Sequence, residues 1–188
     1  MSGLIICGFP GVGKSSVGGW WNCVDLESSY FSQRWDGEQS IIAKTREVIW
    51  GSSDADLELL KYPTWVEVYC TIGMSLAHQG FTVLMSTHKD VVSFLRQTCG
   101  GLVVIFSPTL EMKDQWLNRL YERYSKSGSA KDERAFRACN EDWEGKIADL
   151  ETAGFLVYHP QSLDYDLKTY ISMIRDSIQN VEERAGVL

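Results

Sequence analysis

Eight residues near the start of the chain have the types and spacing of a phosphate-binding loop. Gly8 to Ser15 reads GFPGVGKS, which fits the pattern GxxxxGK[ST]. The glycines allow a tight curl in which successive backbone N–H groups point at phosphate oxygens. Lys14 is expected to reach the β- and γ-phosphates of a nucleoside triphosphate, and the Ser15 hydroxyl to ligate Mg²⁺. The residues predicted to bind ATP here are Gly8, Pro10, Gly11, Val12, Gly13, Lys14, Ser15 and Ser16.

The flanking segments support this interpretation of the loop. Leu4–Cys7 is a short apolar run typical of a buried strand, and a helix is predicted over Gly13–Trp21. The positive end of that helix would face the bound anion. A glycine-rich turn that arose by chance would not be expected between a strand and a helix, so the sequence favours a nucleotide site.

Two carboxylates close the next predicted strand, Asn22–Glu27. Alternation along a strand places Asp25 and Glu27 on one face and Leu26 on the other. Because the carboxyl ends of parallel strands line the binding crevice, these groups could hold Mg²⁺ through water or orient an acceptor hydroxyl. No acidic residue ends the third strand, so Asp25 is the leading candidate for the metal. The alternative is a solvated strand end.

A polar tetrapeptide, Ser86-Thr87-His88-Lys89, ends the third predicted strand on the same rim. His88 is expected to contact the acceptor, and Lys89 its phosphate. The alternative is that Thr87 caps the next helix and His88 is a surface residue.

Four arginines flank a polar segment, 125–129, that is predicted to be a mobile loop. Arg119 and Arg123 are four residues apart on one helix and share a face. Arg134 and Arg137 follow the loop. Such a pair of arms could close over a triphosphate, with Arg119 and Arg123 stabilising charge on the transferring group. The alternative is a solvated surface with ion pairs to acidic neighbours, namely Glu122, Asp132 or Glu133.

Strands alternate with helices along the chain, which predicts an α/β fold with a parallel sheet. The predicted strands are Leu4–Cys7, Asn22–Glu27, Thr82–Ser86, Leu102–Phe106 and Phe155–Tyr158. Apolar stripes of helical period lie at 41–49, 65–76, 112–124 and 163–178. Capping-box spacing predicts helix starts at Asp36 with Gln39, Thr64 with Glu67, and Thr87 with Asp90.

The composition limits the classes of function. The chain has 188 residues, enough for one domain, and a formal net charge of −7, which disfavours nucleic-acid partners. Its five cysteines show no CxxC spacing, so reduced thiols in a cytoplasmic protein are expected. No signal peptide or membrane-length apolar run is seen, and a monomer or homodimer is expected.

With these motifs together, the chain resembles the nucleoside monophosphate kinase-like group of P-loop kinases, and within it the small phage-type deoxynucleoside monophosphate kinases. The resemblance implies a three-layer sandwich with five parallel strands in the order 2-3-1-4-5. It also implies an acceptor-binding insertion at 31–80 and a lid at 119–153. Arg46 matches an arginine that grips the acceptor phosphate, and Pro160 lies where such kinases hold the donor adenine.

The function predicted from motifs and resemblance is transfer of the γ-phosphate of ATP, with Mg²⁺, to a nucleoside monophosphate. The proposed catalytic residues are Lys14, Asp25, Arg119 and Arg123. The acceptor is expected to meet Asp25, Glu27, Tyr30, Arg46, His88, Lys89, Arg134 and Arg137. Adenylate kinases have an acidic residue and an arginine where this chain has Thr87 to Lys89, so other acceptors stay open: a small-molecule hydroxyl or a modified DNA base. A nucleotide-binding protein without turnover is the second alternative.

Overall fold

A computed structural model describes residues 3–20, 22–32, 64–99 and 102–184. The predictions for Arg46, for the stripe at 41–49 and for the Asp36 capping box lie outside these residues, as does the side chain of Tyr30. Most of the proposed insertion at 31–80 is therefore not described.

Five parallel strands form one sheet in the described chain, in the order β2-β3-β1-β4-β5. They are β1 Leu4–Gly8, β2 Cys23–Asp25, β3 Thr82–Ser86, β4 Leu102–Phe106 and β5 Leu156–Tyr158. This is the strand order of the P-loop kinase fold predicted from the sequence, so the fold class is confirmed. Gly8 lies level with Ser86 and Phe106, which brings the carboxyl ends of the three central strands to one rim.

Helices cover both faces of the sheet, as continuous apolar strands require. They are α1 Lys14–Val17, α2 Ser29–Ser32, α3 Thr64–His78, α4 Lys89–Thr98, α5 Lys113–Ser127, α6 Ala130–Glu141, α7 Trp143–Glu151 and α8 Leu167–Arg184. A short 3₁₀ turn, Leu110–Met112, precedes α5. Among the described helices, none is long and apolar enough to span a membrane.

The first helix is much shorter than the predicted Gly13–Trp21, because it ends at Val17. Gly19 has a φ of +82°, a conformation that breaks the helix and that glycine adopts without strain. Gly18 also approaches β2 closely: a Cβ there would lie 3.2 Å from the Asp25 Cβ. The early turn therefore returns the chain directly into β2 and brings Asp25 beside α1.

Three other predicted boundaries also differ from the structure. The Thr87 capping box is wrong, because His88 is the N-cap residue of α4 and no side chain caps that end. The second strand covers Cys23–Asp25 instead of the longer predicted run. The final helix begins at Leu167, so Leu163 precedes it.

Two tryptophans and a phenylalanine fill the core below the phosphate-binding loop. Trp116 on α5 and Trp143 at the start of α7 are both fully buried. The Phe9 ring meets each of them edge to face, with centroids 6.4 Å from Trp116 and 5.5 Å from Trp143. The loop thus rests on a rigid aromatic base, which offset contacts of this kind stabilise.

Tyr69 on α3 joins the ends of β2 and β3. Its fully buried hydroxyl donates to the Leu26 carbonyl at 2.7 Å and accepts from the Ser86 N–H at 2.9 Å. Burial raises the pKa of this phenol, although the hydrogen bond from Ser86 opposes the change. Beyond the last ladder pair of these strands, Asp25 with Leu84, the Tyr69 hydroxyl replaces the missing backbone partner.

We expect Tyr69→Phe to lower the free energy of unfolding by about 1–3 kcal/mol, because it leaves a buried carbonyl and a buried N–H without a partner. The matched control is Tyr121→Phe, which removes a hydroxyl from a half-exposed ring on α5. That change should stay within about 0.5 kcal/mol. Urea denaturation measures both, and equal midpoints for the two variants would contradict the bridging role of Tyr69.

Candidate active site

The phosphate-binding loop, Gly8 to Ser15, connects the end of β1 to the start of α1. Gly11 and Gly13 have φ values of +89° and +86°, which explains glycine at both positions. A Cβ at Gly8 would lie 2.7 Å from Cγ2 of Val12, so that position also requires glycine. The loop curls as the motif predicts, and the hydroxyl-bearing side chains of Ser15 and Ser16 are exposed beyond it.

Lys14 extends back across this loop instead of into solvent. Its Nζ donates to the Gly8 carbonyl at 2.7 Å. Burial lowers the pKa of the ammonium group, and the nearby carboxylates of Asp25 and Glu27 oppose that change. The charge therefore lies inside the loop, balanced by groups from β2 and the turn after it.

Asp25 and Glu27 both lie close enough to Lys14 for their charges to act on its pKa, although β2 ends at Asp25 and Glu27 therefore lies beyond the strand. Burial raises the pKa of Asp25, and the attraction of Lys14 offsets part of that effect. Its Oδ1 atom is buried and has no hydrogen-bond partner among the described residues. Such an atom is costly unless a ligand, water or ion completes its contacts.

Glu27 is held differently from Asp25. Its Oε1 accepts from the Ser29 N–H at 3.2 Å, and its Oε2 accepts from Lys131 Nζ. Burial alone would raise the pKa of Glu27, but the hydrogen bonds from Lys131 and Ser29 together bring it below the ordinary value. Glu27 is thus held in its ionised form, while Asp25 keeps an oxygen without a hydrogen-bond partner.

The proposed Mg²⁺ ligands fit the ion's chemistry. Asp25 supplies a carboxylate oxygen without a partner, and Ser15 supplies an exposed hydroxyl. Three or more metal-binding side chains do not cluster anywhere in the described ranges. Mg²⁺ commonly takes only one or two protein ligands and completes its octahedron with substrate phosphates and water. The residues therefore suit Mg²⁺ together with bound phosphate.

The four predicted arginines occupy the α5–α6 hairpin, 113–141, and two of them are in ion pairs. Arg123 Nη2 lies 2.7 Å from Asp132 Oδ1, and Arg137 Nη2 lies 2.6 Å from Glu133 Oε1. Both pairs were among the alternatives considered for this surface. Arg134 is exposed to solvent.

Asp132 joins the two arms of this hairpin. Its Oδ2 accepts from the Ser127 Oγ at 2.6 Å, and its backbone N–H donates to the Ser129 Oγ at 3.2 Å. Burial works against the ionised form, but the hydrogen bond from Ser127 and the Arg123 charge lower the pKa of Asp132. Arg123 thereby holds the end of α5 against the start of α6.

Lys131 is a site residue that the sequence analysis missed. It lies in the first turn of α6 and reaches across to Glu27 on the sheet rim. Its charge is close enough to Lys14 to lower the pKa of that lysine. Its signal in the sequence is its position three residues before Arg134, just after the polar segment 125–129.

The Arg119 guanidinium group, on α5, contacts two aromatic rings. Its guanidinium carbon is 5.6 Å from the Trp116 ring centroid and 5.5 Å from that of Tyr165. Its Nη1 donates to the Leu163 carbonyl at 3.3 Å. Such cation–π contacts orient the guanidinium group while its charge is retained. Trp116 and Tyr165 were not identified as site residues from the sequence.

The remaining predicted residues are more dispersed. His88 is partly exposed to solvent, and its ring centroid lies 5.8 Å from that of Trp65. Desolvation lowers the pKa of His88, and the positive charge of Lys14 lowers it further. Lys89 pairs with Asp149 of α7 at 3.0 Å and is largely exposed. Pro160 is buried after β5. The Lys14 charge thus reaches His88, whereas the Lys89 ammonium is held against α7.

No model of a protein family matches the chain, and no curated protein sequence matches it. Among solved structures, the chain is similar to the crystal structure of shikimate kinase from Bacteroides thetaiotaomicron. The two share 14% sequence identity with a TM-score of 0.45, and the alignment covers 97% of each chain. At this identity the likeness concerns the fold alone, and the resemblance to phage-type deoxynucleoside monophosphate kinases stays a prediction from the motifs.

Proposed function

We propose that this chain is an ATP-dependent phosphotransferase. The observation that carries the proposal is the arrangement of charges around Lys14. The Lys14 ammonium lies inside a GxxxxGK[ST] loop, faces Asp25 and Glu27, and has the cationic Lys131 opposite them. A triphosphate in the loop and an acceptor above the carboxylates would meet between these groups.

ATP binding would change the partners of Lys14. The loop N–H groups and the Lys14 Nζ would take phosphate oxygens in place of the Gly8 carbonyl. Bound Mg²⁺, held by Ser15 and Asp25, would neutralise charge on the β- and γ-phosphates. The chain's own groups position the triphosphate, and the nearby carboxylates position the acceptor.

The reaction is a direct in-line transfer. The bond between the γ-phosphorus and an acceptor oxygen forms as the bond to the β,γ-bridging oxygen breaks, and ADP leaves with that electron pair. We propose the α5–α6 hairpin as the lid that covers this step and excludes water, which would otherwise accept the phosphoryl group. Arg119 and Lys131 would bring positive charge to the transferring group.

We favour a nucleoside monophosphate as acceptor. The support is the resemblance of three segments, the P-loop, the carboxylates at and after the end of β2 and the residues 86–89 at the end of β3, to nucleoside monophosphate kinases. One observation favours a second candidate, a small molecule that reacts through a hydroxyl. The free Oδ1 of Asp25 can accept a hydroxyl hydrogen, and two carboxylates at one rim repel an anionic acceptor. In that case Asp25 would take the hydroxyl proton as the new P–O bond forms, and Ser15 rather than Asp25 would hold Mg²⁺.

Turnover with a panel of acceptors tests the function. The purified chain with Mg·ATP should release ADP with at least one ribo- or deoxyribonucleoside monophosphate, and Lys14→Ala should abolish that release. Lys113→Ala is the matched control, since Lys113 forms a surface ion pair with Glu144 at 2.7 Å. Activity only with hydroxylated small molecules would select the second candidate. ATP binding without turnover on any acceptor would reject the enzyme.

The pH dependence of the reaction should report Asp25. Because its pKa is raised, Asp25 becomes protonated at a higher pH than an ordinary aspartate, so kcat/KM should begin to fall at a correspondingly higher pH. Asp25→Asn should lower kcat/KM about 10²-fold and remove this acidic limb. An acidic limb that persists unchanged in Asp25→Asn would assign the titration to another group.

Lys131→Ala should lower kcat by about 10²-fold and leave the Kd for ATP nearly unchanged, because it removes a charge that acts once the lid covers the transferring group. The control is Lys126→Ala, also in the α5–α6 hairpin, where Lys126 is 82% exposed and lies 4.0 Å from Glu122. Steady-state kinetics and equilibrium binding separate the two constants. A parallel loss in kcat and in ATP affinity would place Lys131 in ground-state binding instead.

A further inference from the structure

The carbonyl of Pro10, inside the phosphate-binding loop, is hydrogen-bonded by a tryptophan from another element. The indole Nε1 of Trp116 donates to the Pro10 carbonyl at 2.8 Å. Trp116 lies on α5 and is fully buried. The Pro10 carbonyl has little freedom to turn, because turning would leave the buried indole N–H without a partner.

This hydrogen bond orients an N–H group of the loop. The Pro10 carbonyl and the Gly11 N–H belong to one peptide plane, and in a trans peptide they point in opposite directions. Because the carbonyl is directed at α5, the Gly11 N–H is directed away from α5, into the curl of the loop. That is the direction a phosphate-binding N–H must take.

Close packing of α5 against Gly11 reinforces the orientation. A Cβ on Gly11 would lie 2.9 Å from Cδ2 of Leu120 and 3.1 Å from the Trp116 Nε1, so the helix touches the loop backbone directly. The Trp116 ring also stacks on Tyr165, with centroids 6.2 Å apart and planes 6° apart. The Trp116 indole is thus held by the Tyr165 ring and by the backbone of the loop.

We infer that Trp116 is a positioning residue that holds the loop in its phosphate-binding conformation and ties it to the helix that carries Arg119 and Arg123. The inference rests on the nucleotide site proposed above. Trp116 touches no reacting atom, and it acts by presenting the Gly11 N–H to the triphosphate.

Trp143 provides a matched comparison within the same core. It is also fully buried and packs against Phe9 with centroids 5.5 Å apart. Its indole Nε1 donates to the Leu110 carbonyl at 3.2 Å, which lies outside the loop. Replacing either indole by a phenyl ring removes similar volume and one hydrogen bond, but only Trp116→Phe releases a loop carbonyl.

The test measures the binding of tripolyphosphate and of ATP to wild type, Trp116→Phe and Trp143→Phe by titration calorimetry, with unfolding by urea in parallel. Trp116→Phe should weaken both ligands about fivefold to tenfold, the loss expected for one hydrogen bond. Trp143→Phe should bind both nearly like wild type while losing comparable stability, because a phenyl ring can keep the packing against Phe9 and the Pro10 carbonyl keeps its Trp116 donor. Equal weakening in both variants, or none in Trp116→Phe, overturns the inference.

A second measurement uses only the wild-type protein, so it remains decisive if a variant does not fold. In the proton–nitrogen NMR spectrum, tripolyphosphate should shift the indole N–H resonance of Trp116 and leave that of Trp143 in place. A Trp116 resonance that does not respond overturns the inference even if binding is observed. A wild type that binds neither tripolyphosphate nor ATP would instead reject the nucleotide site itself, which keeps the two failures apart.

Discussion

The charge of Lys14 is the constraint around which the site is built. An ammonium group withdrawn from water is stable only beside compensating groups. The Gly8 carbonyl, Asp25 and Glu27 provide this compensation, and they come from the end of β1, from the end of β2 and from the turn that follows. Each of these positions depends on the sheet, so the charge balance of the site depends on strand order and register.

The short β2 strand places the two carboxylates. It ends at Asp25, opposite Leu84, while β3 continues to Ser86. Tyr69 fills the gap by bonding to the Leu26 carbonyl and the Ser86 N–H. The chain can then leave the sheet at the rim with Glu27 beyond it, while the Leu26 carbonyl and the Ser86 N–H are both paired.

The α5–α6 hairpin divides its charged residues between two tasks. Arg123 is paired with Asp132 and holds the two helices together, whereas Lys131 extends to the rim and meets Glu27. A cation that bonds to a rim carboxylate can exchange that partner for a more highly charged phosphate. Trp116 connects the same hairpin to the loop through its hydrogen bond to Pro10 and its edge-to-face contact with Phe9.

Local patterns were sufficient for much of this. The apolar runs and the glycine pattern of GFPGVGKS are short-range features, and they predicted the five parallel strands and the tight loop between β1 and α1. Helix limits were less well predicted. Gly18 and Gly19 end α1 inside the predicted helix, because Gly19 adopts a positive φ, and Thr87 does not cap α4 despite its spacing to Asp90.

The sequence by itself determined the tight glycine-rich loop after β1 and the parallel α/β architecture, because each follows from the periodicity or spacing of neighbouring residues. Only the tertiary structure decided that Lys131 meets Glu27, that Trp116 bonds to Pro10 and that Tyr69 bridges two strand ends. The first two pairs are separated by 104 and 106 residues. Contacts of that kind leave no periodic signal, since they arise where the fold brings distant surfaces together and buried polar groups must find partners.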